Sequence, residues 1–159
     1  MKQNYLHEIL KLADDQKDEL AAAFEKILSL NGWVNVEPVV EDDSRGETPG
    51  LFSWFSARGP QVPVGTLVFE GEDKLVSLGI SHGVGRNARD TLEHEGIHAP
   101  VSWQLKQDHP KRGFVWEVGK EELETRSAAD FLMEATYKLC PTAQERLWTA
   151  AVNRLDQPH

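Results

Sequence analysis

The sequence predicts an α+β fold, in which a mainly antiparallel sheet of about six strands is packed by a long N-terminal helix and two C-terminal helices. Apolar residues recur at helical spacing near both ends of the chain, which predicts the helices. Short runs rich in aromatic and β-branched residues fill the middle, and one of them folds back through a tight turn. The 159 residues suit a single domain, 1–159, that buries its own core.

The composition is that of a globular protein with an acidic surface. Hydrophobic residues make up 40% of the chain and charged residues 27%, and 26 acids against 17 bases give a formal net charge of -9. This charge disfavours nucleic acid and anionic membranes, so we expect the partner to be another protein, and a homodimer is also compatible. The single cysteine excludes an intrachain disulfide, and the N-terminus lacks the apolar region of a signal peptide, so we expect a cytoplasmic protein.

The first predicted element is a helix over 3–30. Its apolar residues follow helical spacing: Leu6, Ile9, Leu10, Ala13, Leu20, Phe24 and Ile27. The polar stretch 14–19 interrupts this pattern and marks a place where the helix could break. Asn31 and Gly32 form a good C-terminal stop, because both residue types tolerate the left-handed conformation that ends helices.

A sheet region is predicted over 33–118. Residues 33–40 and 51–57 carry aromatic and β-branched side chains in partial alternation, and residues 65–80 are expected to form a hairpin. The acidic stretch 41–50 contains glycine and proline, and we expect it to be a surface loop.

The most specific structural prediction is a second hairpin, over 101–118. With residues 108–111 as a four-residue turn, Leu105 pairs with Phe114 and Trp103 with Trp116. One face is then entirely apolar, and it consists of Val101, Trp103, Leu105, Phe114 and Trp116. A slip by one residue would move every side chain to the other face, so this match favours the register.

Three more helices are predicted. A short helix over 87–95 interrupts the sheet region, and two longer ones over 127–139 and 142–155 close the chain. Thr142 and Glu145 form a capping box at the start of the last helix. Both closing helices carry an apolar stripe that would pack on the sheet.

This order of elements resembles the secretion-chaperone-like α+β fold, in which a leading helix, an antiparallel sheet and a closing helix serve protein binding. The resemblance covers most of the chain and rests on topology, with no shared motif. The extra terminal helix and the glycine-rich loop depart from that fold. The resemblance implies a chaperone-like, protein-binding module.

Residues 94–98, HEGIH, fit the H-E-x-x-H pattern of zinc hydrolases. In that pattern a continuous helix places two imidazoles on one face, so His94 and His98 would bind zinc and Glu95 would activate water. The local sequence opposes this alternative, because Gly96 is expected to end the helix as its left-handed residue. We therefore expect no zinc or other cofactor at this motif.

The glycine-rich segment before that motif carries another pattern. Gly83, Gly85 and Ala88 fit G-x-G-x-x-G/A, the phosphate-binding turn of dinucleotide folds. A dinucleotide domain needs a parallel sheet, which the alternating hairpin strand that follows opposes. The remaining alternative is a weak anion or phosphate site formed by Gly83, Gly85, Arg86 and Arg89 at a helix N-terminus.

Gly79, Ser81 and Gly83 also fit G-x-S-x-G, the nucleophile elbow of α/β-hydrolases. That motif needs a parallel strand before it and a helix directly after it. Here more glycine follows the motif, so a loop after a strand is the favoured interpretation.

The chain contains five tryptophans, of which four lie on predicted strands and Trp148 on the last predicted helix. A buried core is the favoured interpretation for them, and the alternative is a partly exposed aromatic surface on the sheet that binds a peptide or ligand.

The sequence as a whole favours a non-catalytic binding or adaptor protein over an enzyme, because each catalytic pattern lacks the structural context that its chemistry needs. A zinc-dependent metallohydrolase at 94–98 is the first alternative. A binder of a small anionic ligand at 83–89 is the second.

Overall fold

The structure of the chain is a computed structural model that describes residues 4–40, 62–71, 74–83 and 85–156. In chain order, the elements in these ranges are β1 (Tyr5–Ala13), α1 (Lys17–Leu30), β2 (Gly32–Val40), β3 (Val64–Phe69), β4 (Leu75–Ser81), α2 (Ala88–His94), β5 (Gln104–His109), β6 (Gly113–Gly119), α3 (Thr125–Lys138) and β7 (Ala143–Leu155). One turn of 3-10 helix, Gly85–Asn87, precedes α2. The predicted strand 51–57, the acidic stretch 41–50 and Trp54 lie outside the described residues.

The strands form one sheet in the order β1-β7-β2-β3-β4-β6-β5, and every neighbouring pair is antiparallel. This confirms the α+β class with an antiparallel sheet. The described part of the chain contributes seven strands to it, where about six were expected. Of the three predicted long helices, the first is shortened by β1 and the last is replaced by β7.

The helices cover one face of the sheet. Alternate residues of each strand point towards α1 and α3, and they form the core with the inner faces of those helices. The strand residues on this face include Leu12, Val34, Val36, Leu67, Leu78, Ile80, Phe114, Trp116, Trp148 and Val152. Each large apolar side chain buried here contributes about 1.5–3 kcal/mol, so this layer is the main source of stability.

The helix predicted over 3–30 is wrong in its first half. Residues Tyr5–Ala13 form β1, which pairs with β7 over its whole length, and the helix begins only at Lys17. A turn separates the two elements, and in it the Gln16 side-chain oxygen accepts a hydrogen bond from the Ala13 amide at 2.6 Å. The apolar spacing of the segment is compatible with both structures, and strand pairing decides between them. The predicted stop is confirmed, since α1 ends at Leu30.

The helix predicted over 142–155 is also wrong, because this segment is the strand β7. β7 lies between β1 and β2 and pairs with both, so most of its backbone groups find partners outside the segment. Its buried apolar residues among those described are Trp148, Ala150 and Val152, which alternate with a period of two. The Thr142–Glu145 pattern therefore caps no helix. The preceding helix is confirmed, as α3 spans Thr125–Lys138 where 127–139 was predicted.

The hairpin over 101–118 is present, but its predicted pairing is wrong. Leu105 lies opposite Trp116 and Asp108 opposite Phe114, with an irregularity between Leu105 and Gln107. The turn is shorter than predicted, because His109 pairs with Gly113 and its ring nitrogen Nδ1 accepts hydrogen bonds from the amides of residues 111 and 112 at 3.0 and 3.1 Å.

The observed hairpin departs from the predicted one at Gly113, at Trp103 and at Val101. Gly113 has φ 83°, and a Cβ atom there would lie 2.0 Å from the backbone oxygen of Ile80, so the close approach of β4 and β6 needs glycine at this position. Trp103 precedes β5, although its ring is buried beside that of Trp116 at 5.9 Å between centroids. Val101 is fully exposed, contrary to its predicted place on the buried face.

The remaining sheet predictions agree with the structure. The strand 33–40 corresponds to β2, the hairpin 65–80 to β3 and β4, and the short helix 87–95 to α2. The first and last described elements are strands, so the helix-first and helix-last order that underlies the chaperone-like resemblance is not observed. Within the described ranges, no helix is long and apolar enough to span a membrane.

The placement of β7 predicts unequal effects for two adjacent residues. Trp148→Ala should lower the free energy of unfolding by about 3–5 kcal/mol, because the indole is fully buried and its N–H donates to the Met133 carbonyl at 3.1 Å. Leu147→Ala should cost less than about 1 kcal/mol, since Leu147 is 38% exposed on the other face. Urea unfolding measures both. Similar losses of stability in the two variants would contradict a strand at this position, because a helix would place both residues on one apolar stripe.

Candidate protein-binding groove

The segment after α2 is positioned by a helix-ending motif at Gly96. Gly96 has φ 72°, its amide donates to the Glu93 carbonyl at 3.1 Å, and the Ile97 amide donates to the Leu92 carbonyl at 2.9 Å. These two bonds form a Schellman motif, which needs a left-handed residue at the position of the glycine. The predicted end of the helix at Gly96 is therefore confirmed.

Beyond Gly96 the chain crosses in front of α3 and is anchored by Trp103. The indole of Trp103 is buried and lies edge-on to Phe131 of α3, with 5.4 Å between the ring centroids. The Trp103 amide donates to the Pro100 carbonyl at 3.0 Å, which closes the turn before β5. Residues 96–100 are thus held away from α3, and a groove lies between them.

The groove contains two adjoining cavities. The wider one, of about 750 Å3, lies between His98 and Pro100 on one side and Arg126, Asp130 and Glu134 of α3 on the other. The narrower one, of about 200 Å3, is lined by Arg89, Glu93 and His98 and by a larger number of apolar side chains from α2, the hairpin and α3, which include Leu92, Ile97, Leu105, Phe114, Trp116 and Phe131. Ile97, His98 and Phe131 line both cavities, so the two form one surface.

The α3 wall of the groove carries an ion-pair network. Lys17 of α1 contacts Asp130 at 2.7 Å and Glu134 at 3.0 Å. Partial burial lowers the pKa of Lys17, but the hydrogen bonds to both carboxylates outweigh it and leave the pKa above its usual 10.5. At the end of the wall, Arg126 contacts Asp18 at 2.7 Å.

Arg146 connects this wall to β7 and to the turn after β1. Its guanidinium contacts Glu134 and Asp14, the latter at 2.6 Å, and lies over the rings of Tyr137 and Trp148. The hydrogen bond from Arg146 is the main reason that the pKa of Asp14 lies below its usual 3.8. The network therefore fixes α3 against elements from both ends of the chain.

The residues of the HEGIH pattern lie at the end of α2 and beyond it. His94 is the last residue of α2, Glu95 contacts Lys138 at 3.6 Å, and His98 follows the glycine that ends the helix. The i, i+4 geometry of a zinc-binding helix is thus not formed by His94 and His98. In the described ranges, no group of three or more His, Cys, Asp or Glu residues is placed to hold a metal.

The residues of the anion-site prediction lie around the 3-10 turn before α2. Gly83 is exposed and Gly85 has φ 82°. Arg89 contacts Glu93 at 3.3 Å and Asp108 at 3.8 Å, so its charge is partly compensated within the chain. The side chain of Arg86 lies outside what the structure describes.

The two other catalytic patterns are not assembled. Ser81 alternates with the core residue Ile80, so it points to the sheet face without helices, and its hydroxyl donates to the Val64 carbonyl at 3.4 Å. His98 lies on the helix side of the sheet. The antiparallel pairing of all described strands also differs from the parallel sheet of a dinucleotide-binding fold.

His82 is a buried polar residue that the sequence patterns did not single out. It continues the inward alternation of Leu78 and Ile80, is 1% exposed and packs against the ring of Phe114. Neither ring nitrogen has a hydrogen-bond partner among the described residues. Burial lowers the pKa of His82, and the charge of Asp108 opposes that effect.

Comparison with known protein families, with characterised proteins and with solved structures finds no match for this chain.

The burial of His82 predicts a pH-dependent stability. Because its pKa is lower in the folded state than the ordinary 6.5, the unfolded state binds more protons below that pH. The free energy of unfolding should therefore stay constant above pH about 6.5 and fall as the pH drops below it, by about 1.4 kcal/mol for each unit by which the pKa is lowered.

Chemical denaturation across this pH range tests the assignment. His82→Leu should be at least as stable as the wild type at pH 5 and should show a smaller loss of stability with falling pH, since it removes an unpaired buried polar group. His94→Leu, which changes an exposed histidine, should retain the wild-type pH dependence. If the free energy of unfolding of His82→Leu fell with pH as steeply as that of the wild type, the role assigned to this residue would be refuted.

Proposed function

We propose that this chain is a non-catalytic protein-binding domain, and that its groove accepts a segment of another protein. The observation that carries the proposal is that the wider, more polar cavity shares Ile97, His98 and Phe131 with the narrower cavity, most of whose lining side chains are apolar. Apolar anchor sites next to a polar rim are typical of protein interfaces. Two exposed apolar residues lie near the groove. Leu105, which is 41% exposed, lines the narrower cavity, and Val101, which is fully exposed, follows Pro100.

The narrower cavity supports a polypeptide as the ligand. Its volume of about 200 Å3 is suited to a single large apolar side chain, and burying one such side chain contributes about 1.5–3 kcal/mol. A micromolar complex needs about 8 kcal/mol. The rest of the binding free energy has to come from contacts along the wider cavity. A polypeptide segment makes such contacts, whereas a small apolar molecule does not.

The charges of the groove favour a basic segment. The two bases on its walls, Arg89 and Arg126, each contact a carboxylate of this chain. Asp130 and Glu93 are paired as well, with Lys17 and Arg89. The walls nevertheless carry three carboxylates, the third being Glu134, against two arginines, and the whole chain has a net charge of -9. An acidic ligand would be repelled, whereas a basic ligand would be attracted. Screening by dissolved salt limits the distance over which this attraction acts.

Selection from a phage-displayed library of random linear peptides tests this proposal. Enriched peptides should share one large apolar residue with a lysine or arginine nearby, and they should bind the wild type with a Kd on the order of micromolar. Leu105→Asn should weaken binding at least about tenfold, because it places a polar group at the apolar cavity.

Leu75→Asn is the matched control, since Leu75 is also 41% exposed but lies on the other face of the sheet. It should change the affinity by less than about twofold. The proposal fails if no peptide is enriched, if the enriched peptides are acidic, or if both variants bind them equally well.

A further inference from the structure

The two edges of the sheet differ in how they are protected. β5 has six residues, an irregularity at the exposed Lys106 and a proline directly after it in the turn. Bulges, lysine and proline at an edge oppose pairing with another strand. β1 has nine residues, contains Lys11 but no proline, and keeps an uninterrupted register with β7 from Tyr5 to Ala13. Of the two edges that the described strands form, the edge of β1 is therefore the less protected against strand addition.

The chemistry of this edge defines what it binds. From Leu6 to Leu12, the side of β1 away from β7 has no strand partner in the described part of the chain, whereas the amide and carbonyl of Ala13 already bond Gln16. An extended polypeptide satisfies such a row of amides and carbonyls by continuing the ladder. We propose that the occupant is a second copy of this chain, whose β1 pairs antiparallel about a two-fold axis through Ile9.

The sequence of β1 is self-complementary in this register. Ile9 is the middle residue of the nine, so an axis there pairs residues 6–12 of one copy with residues 6–12 of the other. Ile9 then lies opposite Ile9 of the second copy, Leu6 opposite Leu12 and Glu8 opposite Leu10, and no acid lies opposite an acid. An axis through Glu8 would place the two glutamates opposite each other, and an axis through Leu10 would pair His7 with Ala13, whose amide and carbonyl already bond Gln16.

Exposure and charge also favour this edge as a dimer contact. Ile9 is 62% exposed and Leu6 is 40% exposed, which makes β1 more apolar on its surface than a protected edge strand. Glu8 and Lys11 balance each other, so β1 is near neutral in a chain with a net charge of -9. A second copy therefore meets little like-charge repulsion here.

The proposal also predicts the strength of the dimer. Two strand edges bury less than the roughly 1,200 Å2 of a standard stable interface, so we expect reversible association with a Kd on the order of micromolar. Sedimentation velocity on the full chain from about 1 to 200 µM should show the monomer converting to a dimer. Ile9→Lys should remain monomeric over this range, and Leu75→Lys, at a leucine of another strand, should dimerise like the wild type.

Single-cysteine cross-linking tests the register. The native Cys140 is buried, so an introduced thiol is the accessible one among the described residues. With oxidised glutathione as the oxidant, Ile9→Cys should form a disulfide-linked dimer because its partner thiol lies directly opposite. Residue 11 lies on the same face as residue 9 but opposite His7 of the second copy. The two residues 11 are then about 13 Å apart along the strands, so Lys11→Cys should cross-link at least about tenfold more slowly than Ile9→Cys.

A wild type that stays monomeric at about 200 µM would overturn the proposal, as would equal cross-linking of the two cysteine variants. Neither result bears on peptide binding in the groove, which is measured independently with the Leu105 and Leu75 variants.

Discussion

Strand β7 lies between β1 and β2 and pairs with both, although β7 is the last described element of the chain and the other two strands belong to its first 40 residues. Without β7, β1 has no strand partner in the described ranges and β2 loses one of its two. The helical layer depends on the same strand, because Trp148 donates to a carbonyl of α3 and Arg146 contacts Glu134 on that helix. The ends of the chain therefore hold the sheet and the helices together.

The candidate groove is a consequence of this arrangement. One wall, α3, is fixed against β7 and the start of α1 by the network around Glu134. The other wall consists of residues 96–100. It begins at Gly96, where α2 stops, and is anchored by the buried ring of Trp103. A binding surface formed by two independently fixed walls loses little conformational entropy when a ligand enters, which favours affinity. The groove thus draws its rigidity from contacts distant from it.

The sequence predicted correctly two features that depend on residues close together in the chain. The glycine at 96 and the alternation of 65–80 each act within a few residues, and both predictions agree with the structure. β1 and β7 were predicted as helices because their apolar spacing is compatible with a helix, and the partner that makes each a strand lies about 140 residues away in sequence. For the site, Gly96 and His98 were recognised, but Asp130 and Glu134 resemble any charged residues on the outer side of an amphipathic helix.

The most direct test of this account is an NMR measurement of backbone contacts made by Ala151. In the structure this residue lies opposite Ile9 of β1 on one side and opposite Asn35 of β2 on the other. The account predicts cross-strand nuclear Overhauser effects from the Ala151 backbone to both residues, since protons of paired strands approach each other closely. Contacts from residue 151 to residues three and four positions away, with none to β1 or β2, would show a helix there and contradict the fold.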